Sequence, residues 1–179
     1  QGAGGAGVRI DGVGNTLIVA PNTKIHANGI YGRGVMVAYG KNHTLIHRGD
    51  IQATGADGIA ANFDFGNNAV GNAEEYRGSY IRTQPRPWEP PGRTNPEPWK
   101  PPLLDELDGP LVRQFDVTGS LTGQSAAIYM SDNALVGQIN IMRGAQLVGD
   151  ILSRYKERDE QGQPRLTQLT FGQLANAQG

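Results

Sequence analysis

The sequence predicts an all-β chain wound as a parallel β-helix, a solenoid broken by one long Pro/Trp-rich excursion. Three observations carry this. A Gly-Val-x-Val unit recurs: Gly7-Val8-Arg9-Ile10, then Gly34-Val35-Met36-Val37, then Gly58-Ile59-Ala60-Ala61. The spacings are close to one another, at 27 residues from Val8 to Val35, 26 from Ile25 to Ile51 and 24 from Val35 to Ile59. Repeats of 20–50 residues mark stacked architectures in which each unit buries its apolar face on the next. Composition agrees. Apolar residues make up 37% of the 179 residues and glycine reaches 26, which suits a core about one side chain wide with sharply turned corners.

Residues 1–7, Gln-Gly-Ala-Gly-Gly-Ala-Gly, read as a flexible lead-in. They contain a G-x-G-x-x-G spacing, but a dinucleotide site needs a preceding strand, a following helix and a distant acid. No strand can precede it here and no helix is predicted to follow. Residues 8–82 read as coils. Val8/Ile10, Leu17/Val19, Ile25/Ala27, Val35/Val37, Leu45 with Ile46, Ile51/Ala53 and Ile59/Ala61 alternate with polar or small residues, the two-residue period of strands. Gly14-Asn15, Asn28-Gly29 and Asp57-Gly58 supply corners, since Gly, Asn and Asp tolerate positive φ.

Residues 83–110 change character. Nine of the eleven prolines and both tryptophans fall there. Proline fixes φ and removes a ladder donor, so this is an excursion, extended and partly polyproline II. Arg86, Trp88, Arg93, Trp99 and Lys100 make it a candidate partner-binding loop, because aromatic and Arg side chains are enriched at interfaces. The competing reading is that the tryptophans pin the loop to the solenoid wall. Residues 111–172 return to coils through Phe115/Val117, Leu121, Ile128/Met130, Leu135, Ile139/Ile141, Leu147 and Ile151. The charged run 154–165 is expected as a solvated, hairpin-like turn, Leu166–Phe171 as a last strand, and 173–179 as a frayed end. The chain as a whole reads as a piece of something longer, of roughly five or six coils stacked about 4.8 Å apart. An antiparallel sandwich is the rival fold, but it gives no reason for the recurrence.

Composition also narrows function. A net charge of −1 without a basic stripe argues against nucleic acid. No stretch approaches the roughly 18 apolar residues of a membrane span, so no membrane insertion of this segment is expected. With no cysteine, disulfides and thiolate metal sites are excluded. Gly123-Gln124-Ser125 lacks the second glycine of a nucleophile elbow. His26, His43 and His47 lack an evident third metal ligand and read as solvated or stacking side chains. Asp50, Asp57, Asp64 and Asp116 are acids of the type glycan cleavage needs, but Asp57 reads as a turn residue and Asp64 as a strand end. No catalytic residue, cofactor or metal is expected.

Two blocks carry a resemblance to a family. The first runs through Val35–Gly40 with Asn42-His43, Gly55-Ala56-Asp57-Gly58-Ile59, Phe63-Asp64-Phe65-Gly66-Asn67, Gly71-Asn72 and Glu75–Ile81. The second is Gly144–Ser153, with Leu169-Thr170-Phe171-Gly172. Together these resemble the passenger domains of Gram-negative autotransporters (type V secretion), over residues 8–82 and 111–172. The second block resembles the stems of passengers that carry a subtilisin-like serine protease. The resemblance implies a right-handed parallel β-helix at the cell surface or outside the cell. It also implies a C-terminal translocator barrel in the full-length protein, adjacent coils as neighbours, and roles in virulence or adhesion. No protease signature occurs in the sequence. Three readings follow: a non-catalytic stem presenting an effector, an adhesin or self-association module that binds host or neighbouring cells, and a polysaccharide-acting β-helix enzyme.

Overall fold

A computed structural model describes residues 3–64 and 109–173. Among these residues there are fourteen strands and no helix. They are β1 (Ala6–Ile10), β2 (Thr16–Val19), β3 (Lys24–His26), β4 (Arg33–Val37), β5 (His43–His47), β6 (Asp50–Ala53) and β7 (Ile59–Phe63), then β8 (Val112–Val117), β9 (Ser120–Gly123), β10 (Ala126–Met130), β11 (Val136–Met142), β12 (Gln146–Val148), β13 (Ile151–Ser153) and β14 (Gln168–Gln173).

The strands form three parallel sheets. Sheet I runs β1-β4-β7-β10-β13, sheet II runs β2-β5-β8-β11-β14, and sheet III runs β3-β6-β9-β12. The chain therefore visits the sheets in rotation, and each circuit lies beside the last. Every ladder between the named strands is parallel. The antiparallel sandwich is thus set aside.

Like side chains stack along the sheets. In sheet II, Leu17, Leu45, Phe115, Ile139 and Leu169 form one inward row. In sheet III the row is Ile25, Ile51, Leu121 and Leu147. Sheet I contributes Ile10, Val37, Phe63 and Met130. Phe63 and Phe115 meet edge to face at the centre, with ring centroids 5.5 Å apart and planes at 80°. Both are wholly buried. Aromatic pairs in this geometry add about 0.5–1.5 kcal/mol beyond burial.

The predicted spacings of 27 and 26 residues are the true registers, Val8 on Val35 and Ile25 on Ile51. The third is displaced. Val35 stacks on Ala61, while Ile59 pairs with Arg33. A two-residue slip leaves every side chain on the same face of a strand, so hydrophobic alternation could not detect it.

Most corners between sheet I and sheet II take five residues: 11–15, 38–42 and 131–135. Gly12, Gly40 and Gly109 turn at this corner of three successive coils with φ of 97°, 111° and 104°. Glycine is required at Gly40 for a second reason. A Cβ there would lie 1.4 Å from the Gly12 carbonyl oxygen. The third coil departs from this pattern, because β7 and β8 are separated by residues 64–111. Yet β5 pairs directly with β8 and β7 with β10. The described coils before and after residues 65–108 are therefore direct neighbours. Past Asp64, the predicted coil block 8–82 lies outside the described residues.

Candidate functional site

Both long connections of the chain leave from the same corner. One joins β7 to β8, and the other, residues 154–167, joins β13 to β14. Each lies between sheet I and sheet II, separated by the coil of β10 and β11. The first is rooted in standard coil geometry at both ends. The Asp64 N–H donates to the Val37 carbonyl oxygen at 3.0 Å. At the other end, the Asn42 N–H donates to Pro110 at 2.7 Å and the His43 N–H to Leu111 at 3.1 Å. Leu111 is buried in the core. The exit and return thus occupy rung positions.

The second connection folds on itself as predicted. Arg158 and Pro164 form an antiparallel bridge, and the Asp159 carboxylate accepts from the Gln161 and Gln163 N–H groups at 3.0 and 2.7 Å. Lys156 ties it to the neighbouring corner, with its Nζ 2.8 Å from Asp132 Oδ2. Beneath it lies a cavity of about 330 Å³ bounded by Met130, Ile139, Ile151, Tyr155, Arg165 and Thr167, among others. Burial raises the Tyr155 phenol, and neighbouring Arg165 partly offsets this.

The predicted loop residues Arg86, Trp88, Arg93, Trp99 and Lys100 lie outside the described residues. The four candidate acids are dispersed. Asp50 faces outward on sheet III, Asp57 takes a positive φ of 57° in the turn before β7, Asp64 directly follows β7, and Asp116 lies in β8 of sheet II. The structure does not bring them to one face. Ser125 sits in the turn between β9 and β10, its N–H donating to Gly58 at 2.8 Å. The Gly-rich lead-in runs into β1, a strand rather than a helix.

One polar cluster was not anticipated. Asp50 accepts from Ser120 Oγ at 2.6 Å, from His26 Nε2 at 2.8 Å and from Gln52 Nε2 at 2.9 Å. The register produces this cluster: Lys24, Asp50 and Ser120 share one column of sheet III, and His26 and Gln52 the next. Burial raises the Asp50 carboxyl, but the bonds from Ser120, His26 and Gln52 outweigh it and hold it below its ordinary 3.8. The order of the groups decides the chemistry. A hydrolytic triad puts the imidazole between hydroxyl and carboxylate. Here the carboxylate is central, and both hydroxyl and imidazole donate to it. The cluster joins three coils and is built for holding rather than for moving a proton. Aligning the sequence on Ile25, Ile51 and Leu121 is the signal that could have found it.

A second polar ladder covers sheet II. Asn140 Nδ2 donates to Asp116 at 2.6 Å, and Thr170 Oγ1 donates to Asn140 at 2.5 Å. Gln114 and Gln138 bond along their own strands to Asp116 and Asn140.

Of the two readings of the histidines, solvated or stacking, two of the three take the second. His43 and His47 are 0% and 1% exposed. They share the inward face of β5 with Leu45 and so point into the core. Burial lowers both below the ordinary 6.5, although hydrogen bonds to the backbone work in the other direction. Among the described residues no group of three or more His, Cys, Asp or Glu could hold a metal ion. No helix among them is long and apolar enough to cross a membrane.

Comparison of the chain with protein-family models, with curated proteins and with solved structures returns no match.

Proposed function

We propose that this chain is a segment of a right-handed parallel β-helix whose role is to display, as the non-catalytic stem of a surface-exposed autotransporter passenger. The observation that carries the reading is the corner geometry. A connection of 48 residues, 64–111, enters and leaves at rung positions while the coils on either side pair directly. Such an architecture separates holding from recognition, because loop variation at a corner leaves the stacked core intact. The four carboxylates of the type glycan cleavage needs are dispersed over different faces, so the stem is favoured over an enzyme. The autotransporter assignment rests on the sequence resemblance described above.

A second reading, adhesion, is favoured by the composition of 83–110, where Arg86, Trp88, Arg93, Trp99 and Lys100 supply the side-chain types of binding surfaces. The two readings part on one experiment. A variant lacking residues 66–108 is compared with the intact chain for binding to host cells and to itself, with folding checked by circular dichroism. A stem with an adhesive loop loses binding and keeps its β signature. Unchanged binding removes the loop's role, and loss of the β signature removes the idea that the coils stand independently of it. Hydrolysis of casein or of a glycan panel by the isolated chain would count against a non-catalytic stem.

A further inference from the structure

We propose that β5 is an acid-sensitive latch: proton uptake by His43 and His47 releases the second coil from the first and third. The two imidazoles occupy inward positions where the neighbouring coils place aliphatic side chains. His47 lies between Val19 and Val117 in its row, and His43 stacks on Val112.

Each ring is held as the neutral form protonated on Nε2. His43 Nε2 faces the Tyr39 carbonyl oxygen at 3.0 Å, which only a donor can satisfy. Its Nδ1 accepts the Asn15 N–H at 3.1 Å. A second proton would set N–H against N–H there. His47 Nε2 donates to the Ser120 carbonyl oxygen at 2.7 Å. Its Nδ1 has no hydrogen-bond partner, so a second proton would place an unpaired charge among valines. Uncompensated buried charge is among the costliest arrangements in a core.

The groups facing the rings do little to relieve this. Asp11 attracts His43 from the first-coil corner and Asp50 attracts His47. The Asp50 carboxylate is already engaged by Ser120, His26 and Gln52. Val19, Val112 and Val117 bring no charge, Ser120 offers His47 only a backbone carbonyl, and Tyr39 and Gly12 offer His43 only backbone hydrogen bonds, which burial outweighs. The position gives the latch its consequence. The His43 N–H holds the Leu111 carbonyl, and Asn42 beside it holds Pro110. Opening β5 therefore loosens the point at which the chain returns to the coils.

The direction follows from linkage. The folded form resists protonation, whereas the unfolded chain protonates near 6.5, so folding stability is fully present above that value and declines as pH falls below it. If neither ring titrates while folded, lowering the pH from 7.5 to 5.5 reduces the folded-to-unfolded ratio about tenfold per histidine and about a hundredfold for the pair. The test is urea unfolding of the full chain at both pH values, for the natural protein, His47→Val, and His43→Val with His47→Val. The natural protein should lose about a hundredfold, the single variant about tenfold, and the double variant little. Histidine Cε1 resonances of the natural protein give a readout independent of the variants. Those of His43 and His47 should stay at neutral-imidazole shifts until the second coil opens. A ratio constant to within twofold overturns the proposal, as does either ring titrating at or above 6.5 in the folded protein.

Discussion

Deleting residues 66–108 should stabilise the coils. The deletion leaves Asp64-Phe65-Gly109-Pro110-Leu111 between β7 and β8, a five-residue corner like those at 11–15, 38–42 and 131–135. It keeps Gly109 with its positive φ, the Pro110 and Leu111 carbonyls that accept from β5 and its preceding residue, and the buried Leu111 side chain. The gain is entropic. Loop closure costs about 3/2 RT times the logarithm of loop length, so shortening 48 residues to five recovers about 2 kcal/mol. At this chain length that corresponds to a rise of roughly 4–8 °C in Tm. Equilibrium unfolding in urea measures it directly. The native state becomes more stable, and the slope of the transition decreases only by the surface the excised segment exposes on unfolding. A variant less stable than the natural chain by 1 kcal/mol or more would refute the reasoning. It would mean that residues 66–108 contribute to the stability of the coils.

Three other outcomes are expected. Phe63→Ala removes one partner of the central edge-to-face pair and should cost about 3–5 kcal/mol in urea unfolding, the usual range for a buried phenylalanine. Gly40→Ala combines a positive φ with a backbone clash against Gly12 and should cost about 1–3 kcal/mol, whereas Gly162→Ala, which meets nothing within 4 Å, should be milder despite its φ of 73°. Asp50→Ala leaves Ser120, His26 and Gln52 without their shared acceptor and should cost about 1–3 kcal/mol at neutral pH. Because the folded carboxyl is held below 3.8, its contribution is present above that value and is lost as pH falls through the folded value. The difference between natural and Asp50→Ala proteins should therefore shrink in acid.

The strands were legible because their inward residues alternate with polar ones along nearly the whole chain. Val8, Val35, Ile25 and Ile51 could even be paired correctly by counting. Counting failed at Val35 and Ala61 because Ile59 is the better-looking equivalent and shares their face. The composition of 83–110 signalled an excursion, but the end of β7 at Phe63 was not legible, since Phe63-Asp64-Phe65 continues the alternation of a strand. The Asp50 cluster was harder to see. His26 and Asp50 are 24 residues apart, and Asp50 and Ser120 are 70 apart. Only the register of sheet III, fixed after the insertion is set aside, brings them together. The burial of His43 and His47 was readable in principle from His-Thr-Leu-Ile-His. Their shared parity with Leu45 places them inward, against the general tendency of histidine to keep an edge in water.

Every substantial contact between strands runs within one coil or between adjacent coils. A chain built this way has no reason to assemble all at once. Coils one and two close over short separations and can form early, as the first part of the chain leaves the ribosome. Coil three must wait, because β8 reaches β5 only after the 48-residue connection 64–111 has been closed. That joint divides the chain kinetically into an early and a late half, and mutations in β8 should slow folding more than equally destabilising ones in β2.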